Sequence, residues 1–374
     1  MLKYFKGSVA FTALCLAIGA WLGWEITHDI SGTLGILWII IVLGVLEVSL
    51  SFDNAVVNAT VLRNMDPIWR RRFLTWGIII AVFGMRILFP LLIVGIAAHL
   101  GPIDSLTLAA TDPVTYERII KGAHVAISGF GGAFLAMVGL TFFLDEDKDL
   151  HWIGMVERPF AVLSRISGLA IAIVLLALYG ISRLIEPAEA MTFLTAGMFG
   201  LITYVAVHAI GALLEHEEIE EEEGNALAAQ NATATVAKSG LAAFLYLEVL
   251  DASFSFDGVI GSFALSNNLF IIALGLGIGA IFVRSMTVML VDRGTLGAYR
   301  YLEHGAFYAI VALAAIMLLS VWIDIPETVT GLIGAALIGV AFLASASANK
   351  RDGAREEPLE EASSTSPTGE HLKL

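Results

Sequence analysis

The sequence predicts an all-α fold: a polytopic membrane helix bundle of about ten spans, arranged as two inverted five-helix repeats. Three observations carry this expectation: an apolar composition, the placement of the positive residues, and an internal repeat. Of 374 residues, 57% are hydrophobic and 15% charged, and the mean hydropathy is +0.82. A water-exposed domain of this length rarely tolerates that balance, whereas an integral membrane protein does.

Runs of about 20 apolar residues, the length that crosses a hydrocarbon core, fall near 8–24, 33–62, 73–98, 122–144 and 160–181. Five more fall near 191–213, 240–265, 269–291, 304–322 and 328–346. Lys3 and Lys6 before the first run also fit a signal peptide, but no small-x-small cleavage site follows and the repeat needs this span. With the N-terminus inside, fifteen Lys and Arg fall on inside segments, three on outside loops (Arg118, Lys121, Arg183) and three within spans (Arg86, Arg165, Arg284). Cytoplasmic loops are enriched in these residues, so the split predicts both the count and cytoplasmic termini, in a bacterial plasma membrane. The first repeat is expected over 1–183 and the second over 184–348, with the acidic loop 215–223 on the inside. Segment 349–374 has the composition of a disordered tail.

The formal charge of −14 comes largely from loops and tail. It argues against nucleic acid, which wants a basic face. The lone Cys15 gives neither an intramolecular disulfide nor a thiol metal site.

The repeat is read from "EVSLSFDNAV" (47–56), which aligns without gaps to "DASFSFDGVI" (251–260). Ser49, Ser51, Phe52 and Asp53 meet the identical residues Ser253, Ser255, Phe256 and Asp257, and Glu47 meets Asp251. A rival register pairs Glu47 with Glu248 through "LEV", and residues three apart share a helix face in either case. Each motif span is followed by one with a single interior arginine, Arg86 or Arg284, and then by a span opened by His124 or His304. An odd number of helices per repeat inverts the second copy, the design in which transporters place a site near the midplane.

Ionised carboxylates inside a span cost about 2.5–3.5 kcal/mol each on insertion scales and mark a pathway by default. Here there are five: Glu47, Asp53, Glu248, Asp251 and Asp257. Glu47, Ser51 and Asn54 form one helical stripe and Glu248, Asp251 and Ser255 another, but Asp53 stands six residues past Glu47, about 240° around an ideal helix. Either the helices unwind near Asn54 and Gly258, or the second aspartate of each motif faces another neighbour such as an arginine. Unwinding would gather carboxylates, the Asn54 amide, serine hydroxyls and freed carbonyls into an all-oxygen site suited to Mg²⁺, Ca²⁺ or Mn²⁺. Ser51, Ser255, Arg86, Arg284, His124 and His304 stand as supporting or gating residues. Neither a His-Glu-x-x-His zinc motif nor a Gly-x-Ser-x-Gly elbow is present, so no enzyme and no tightly bound cofactor is expected.

Together "EVSLSFDNAVV", "SFDGVIGSFAL" and "ISGFGGAFLAMVGLTFFLDEDKDLHW" resemble the TerC-like membrane proteins, specifically their subgroup of unknown function, over most of 33–346. That family is grouped with the LysE exporter superfamily, was first linked to tellurite resistance, and includes members implicated in manganese export. The resemblance implies cation contacts at Glu47, Asp53 and Asn54, and at Asp251 and Asp257. Gly258 replaces the amide of Asn54 in the second motif, and Glu248 adds an acid there, so the halves differ chemically. The expected function is export of a divalent cation, Mn²⁺ first, by proton antiport. The expected partners are the bilayer, the cation and protons, with a homo-oligomer or stress complex beyond. The alternative is a non-transporting scaffold of an envelope-stress or tellurite-resistance complex.

Overall fold

The computed structural model describes residues 2–145, 150–166, 168–219, 240–323 and 325–364. All secondary structure among the described residues is helical. In chain order the helices are α1 (Leu2–Thr27), α2 (Ile30–Leu50), α3 (Phe52–Asn64), α4 (Pro67–Ile79), a π-helical stretch (Ile80–Leu88), α5 (Phe89–Ala98), α6 (Pro102–Thr111), α7 (Pro113–Gly122) and α8 (His124–Phe143). There follow α9 (Gly154–Leu163), α10 (Leu169–Ser182), α11 (Pro187–Ile219), α12 (Gly240–Ser262), α13 (Leu269–Asp292), α14 (Thr295–Ala298), α15 (Leu302–Leu319) and α16 (Glu327–Ser364).

Eight of these helical stretches are long and apolar enough to cross a membrane, and the chain is a polytopic helical membrane protein. Of the other two segments expected to span, 240–265 is helical to Ser262, whereas 160–181 is divided between the end of α9 and α10, with Gly168 at φ 79° between them. The apolar helix α10 has only 14 residues, and the 23 residues of α12 carry Glu248, Asp251 and Asp257, which lower its hydropathy. Trp21, Trp24, Trp38, Leu176 and Leu343 are each at least half exposed, as expected of side chains that meet lipid rather than water.

Local signals explain the helix ends. Asp29 caps α2 through Gly32 N–H, and Asp66 caps α4 ahead of Pro67 at its first position. Asn268 caps α13 through Phe270 and Ile271 N–H. Helix α16 continues to Ser364, into the segment read as a disordered tail. Glu, Ala, Leu and Arg in that stretch are good helix formers, a local preference that the composition argument does not weigh. Residues 220–239 and 365–374 lie outside the described residues, and with them the second part of the acidic loop (220–223), while its first part (215–219) continues α11.

The packing that positions the site is α13 against α2 and α3. It rests on glycines: a Cβ on Gly44 would lie 3.3 Å from Gly275 O, and one on Gly279 would collide with the Glu47 side chain. Gly275 and Gly279, four apart, thus let two helices touch backbone to backbone and press Glu47 against α13. A second close layer joins α8 to α11 and α15, with Phe134, Leu178, Phe193 and Ile310 fully buried there.

Candidate functional site

The helix carrying the first motif breaks, but at Ser51 and not at Asn54. There α2 ends and α3 begins, the backbone turning to φ −103° and ψ 20°. The Ser51 hydroxyl donates to Glu47 Oε1 at 3.2 Å, and its N–H to Glu47 O at 3.0 Å. Asp53 falls in the first turn of α3, where a carboxylate meets the positive end of the helix dipole. Its Oδ1 accepts the Asn54 N–H at 2.9 Å. The second motif does not break, since α12 runs unbroken through Gly258 to Ser262.

The reason for Gly258 lies across the interface. A Cβ there would stand 3.1 Å from Glu47 Oε2, so a side chain at this position would crowd Glu47, and the amide of the first motif has little room where the two motifs meet. Gly258→Asn, which copies the first motif into the second, is therefore expected to lower the stability of the detergent-solubilised protein by about 1–3 kcal/mol, the usual cost of overpacking. A thermal melt equal to wild type would show that the two motifs do not meet in this way.

Each half supplies one buried carboxylate–guanidinium pair. Arg86 lies in the π-helical stretch, a distortion often found at functional sites. Its Nη2 donates to Glu47 Oε1, and its Nη1 to Ser255 Oγ at 2.7 Å and to Ala81 O at 3.2 Å. Arg86 thereby ties the first motif to the second. In the other half Arg284 Nη2 lies 3.8 Å from Asp251 Oδ2, while Asp251 Oδ1 accepts from Asn58 Nδ2 at 2.7 Å. The Arg284 guanidinium also sits 3.7 Å above the Phe73 ring, an attractive cation–π arrangement. Among the described residues the arginine partners thus are Glu47 and Asp251; an arginine facing the second aspartate is one of the two alternatives that the spacing leaves open, and Asp53 has none. The break and the Gly279 crossing turn Glu47 toward the π-helical stretch, which an ideal helix would not show.

Two small cavities meet at Glu47 and Ser51, which line both. The central one, of about 20 Å³, is also lined by Asn54, Asn58, Arg86, Asp251, Ser255, Arg284 and Thr287. Its volume matches about one water. The second, of about 40 Å³, holds Asp53, Gly258 and Thr330. The break thus brings Glu47 and Asp53 to one cavity, which a straight helix forbids. Asn54 Oδ1 and Asn58 Oδ1 are buried without a hydrogen-bond partner, as are both Glu248 oxygens and Nη1 and Nη2 of Arg284. Such groups are costly to leave unpaired.

Among the described residues no group of three or more His, Cys, Asp or Glu is gathered tightly enough to hold a metal ion. Asp257 belongs to α12, but its side chain lies outside the described residues. The two histidines stand away from the central cavity. His124 Nε2 lies 3.2 Å from Ser128 Oγ and 3.4 Å from Ser320 Oγ at the start of α8. His304 Nε2 lies 2.8 Å from Leu150 O and 3.5 Å from Glu157 Oε2. Glu157 in turn accepts from Trp152 N–H, Ile153 N–H and the Tyr308 hydroxyl, tying the segment before α9 to α15.

Asn58 and Thr287 were absent from the sequence-derived set. For Asn58 a signal existed, because it follows Asn54 by four residues and so shares its helix face. Thr287, three residues past Arg284, carried none beyond the same periodicity.

The family model described as "Protein of unknown function (DUF475)" matches residues 52–352. The match takes in α3 with Asp53, Asn54 and Asn58, both interior arginines and the whole second motif. No curated protein and no solved structure matches the chain.

Proposed function

The chain belongs to the DUF475 family of proteins of unknown function, and we propose that it is a transporter of a divalent cation, Mn²⁺ first, exporting it by proton antiport. The observation that carries this reading is the charge around the two inner cavities. Three buried carboxylates, Glu47, Asp53 and Asp251, line these cavities, and a fourth, Glu248, is buried three residues before Asp251; against them stand two guanidiniums, Arg86 and Arg284. The described site is two positive charges short, the charge of one dication or two protons. Bare carboxylates inside a membrane protein are too costly to persist without such a partner.

The donor set supports a hard cation. Glu47, Asp251, Asn54, Asn58, Ser51 and Ser255 bring oxygen to the central cavity with no thiolate or imidazole, a chemistry that suits Mn²⁺, Mg²⁺ or Ca²⁺. The arginines hold Glu47 and Asp251 between passages, and an arriving cation competes with them for the same oxygens. Each elementary charge moved across the bilayer couples to about 2.3 kcal/mol per 100 mV, and a dication to twice that. Export against an inside-negative potential therefore needs a driving ion, and carboxylates that bind either protons or metal supply the exchange. A scaffold in a stress complex has no need of buried charges left unbalanced, which is why transport is preferred.

The test is uptake into proteoliposomes made with the purified chain. Mn²⁺ is expected to enter faster than into protein-free vesicles, with Mg²⁺ and Ca²⁺ competing and a collapsed proton gradient slowing it. If no divalent cation moves, transport is wrong and the scaffold reading takes its place.

A further inference from the structure

A third, wider cavity of about 470 Å³ lies at the end of the bundle where α8 and α16 begin and α15 ends. Its lining includes Lys121, His124, Ser320, Trp322 and Thr330. Thr330 also lines the Asp53 cavity, which in turn shares Glu47 and Ser51 with the central one. The three spaces therefore form a string, linked first by Thr330 and then by Glu47 and Ser51. The outer space reaches the surface, since Trp322 is 53% exposed. The one lysine at its mouth is paired with Glu117 at 2.5 Å, so it does not present a bare positive charge to a cation. Polar groups continue inward along α8 and α15, with Ser128, Ser320 and His124 in mutual hydrogen-bond range.

The other side of the central cavity is shut. Arg284 lies on the Phe73 ring, Phe73 meets Phe244 edge-on at 6.1 Å, and Phe244 packs on Trp69 at 5.9 Å. Phe73 is fully buried. Among the described residues, three aromatic rings capped by a guanidinium stand across that direction, with the buried Glu248 beside Arg284 on the inner side of Phe73.

We infer that the string of cavities from Glu47 past Asp53 and Thr330 to the His124–Ser320 vestibule is the cation's route to one membrane face, and that the Phe73–Phe244–Trp69 stack is the closed gate toward the other. The route rests on the transport reading for its cargo, but its geometry can be tested alone. It assigns Thr330 as the narrow point through which a hydrated vestibule reaches the carboxylates, and Phe73 as the gate residue. The structure thus has the site open toward the face opposite Arg70, Arg71 and Arg72.

The lone native cysteine, Cys15, is buried. In a Cys15→Ala background, Ser320→Cys and Thr330→Cys would be treated with a membrane-impermeant, positively charged methanethiosulfonate added to one face at a time. Both are expected to react at least about tenfold faster from the face opposite Arg70–Arg72. Modified Thr330→Cys protein is expected to lose most of its Mn²⁺ uptake. Adding Phe73→Ala should let Cd²⁺, a thiol-binding dication far smaller than the methanethiosulfonate, reach Thr330→Cys from the second face too, while the methanethiosulfonate rate from the first face stays unchanged and so reports an intact fold; Cd²⁺ still excluded from the second face overturns the gate. Reaction of either cysteine chiefly from the Arg70–Arg72 face, or from neither, overturns the route. So does full modification of Thr330→Cys that leaves Mn²⁺ uptake intact. Labelling from the expected face by a protein that moves no Mn²⁺ upholds the route and overturns the cargo.

Discussion

Replacing Arg86 with methionine is expected to destabilise the protein by about 3–5 kcal/mol, because it leaves the Glu47 carboxylate buried and without its charge partner. Glu47 and Arg86 are 3% and 4% exposed, so neither can turn to water when the other is lost. The same change removes the donor to Ser255 Oγ that links the first motif to the second. Chemical or thermal unfolding in a defined micelle would read the loss. Glu47→Leu combined with Arg86→Met is expected to recover most of it, since an ion pair replaced whole by apolar side chains is often neutral. That double variant should fold yet carry no cation. Equal stability of Arg86→Met and wild type would show that the pair does not hold the motifs together.

This pair also marks where sequence reasoning reached and where it stopped. Nearly every segment read as a span is helical, because apolar runs of that length leave the backbone no other way to satisfy its hydrogen bonds, but the one read at 160–181 is split between α9 and α10 by a turn at Gly168. The acids and the interior arginines were visible as costly residues in apolar surroundings. Their pairing was not. Which carboxylate meets Arg86 depends on the turn at Ser51, the π-helical stretch at Ile80–Leu88 and the glycine crossing at Gly279. "LSFDN" contains neither proline nor glycine, so no local signal sets the break at Ser51. Local preference alone placed it one turn late, at the residue best suited to irregular backbone. Gly258 shows the reverse case: it read as a place for α12 to unwind, yet the helix is regular there and the missing side chain makes room for Glu47 on the partner helix.

Asp53→Asn separates transport from folding more cleanly than any change to Glu47. Asp53 is buried at 7% exposure but is tied to no arginine; Oδ1 accepts its neighbour's N–H, and Oδ2 faces the bare Cα of Gly334. Asparagine can keep that acceptor and the same shape. What it gives up in stability is the favourable meeting of a carboxylate with the start of α3, worth about 0.3–1 kcal/mol. The consequence for transport is much larger. Asp53 is the carboxylate on the cavity between the central site and Thr330, and without its charge a dication passing that point is left to Glu47 alone. Mn²⁺ uptake is expected to fall by at least about a hundredfold, equivalent to ~2.7 kcal/mol on the rate, with the melting temperature within a few degrees of wild type. Asp53→Glu keeps the charge but pushes a longer side chain toward Gly334, so it should retain partial uptake. If Asp53→Asn carries Mn²⁺ at the wild-type rate, the cation does not pass this carboxylate and the midplane site is misplaced. If uptake fails only together with the fold, Asp53 is a structural residue of α3. A stable protein that has lost its flux is the outcome that a charge at this point of the path requires.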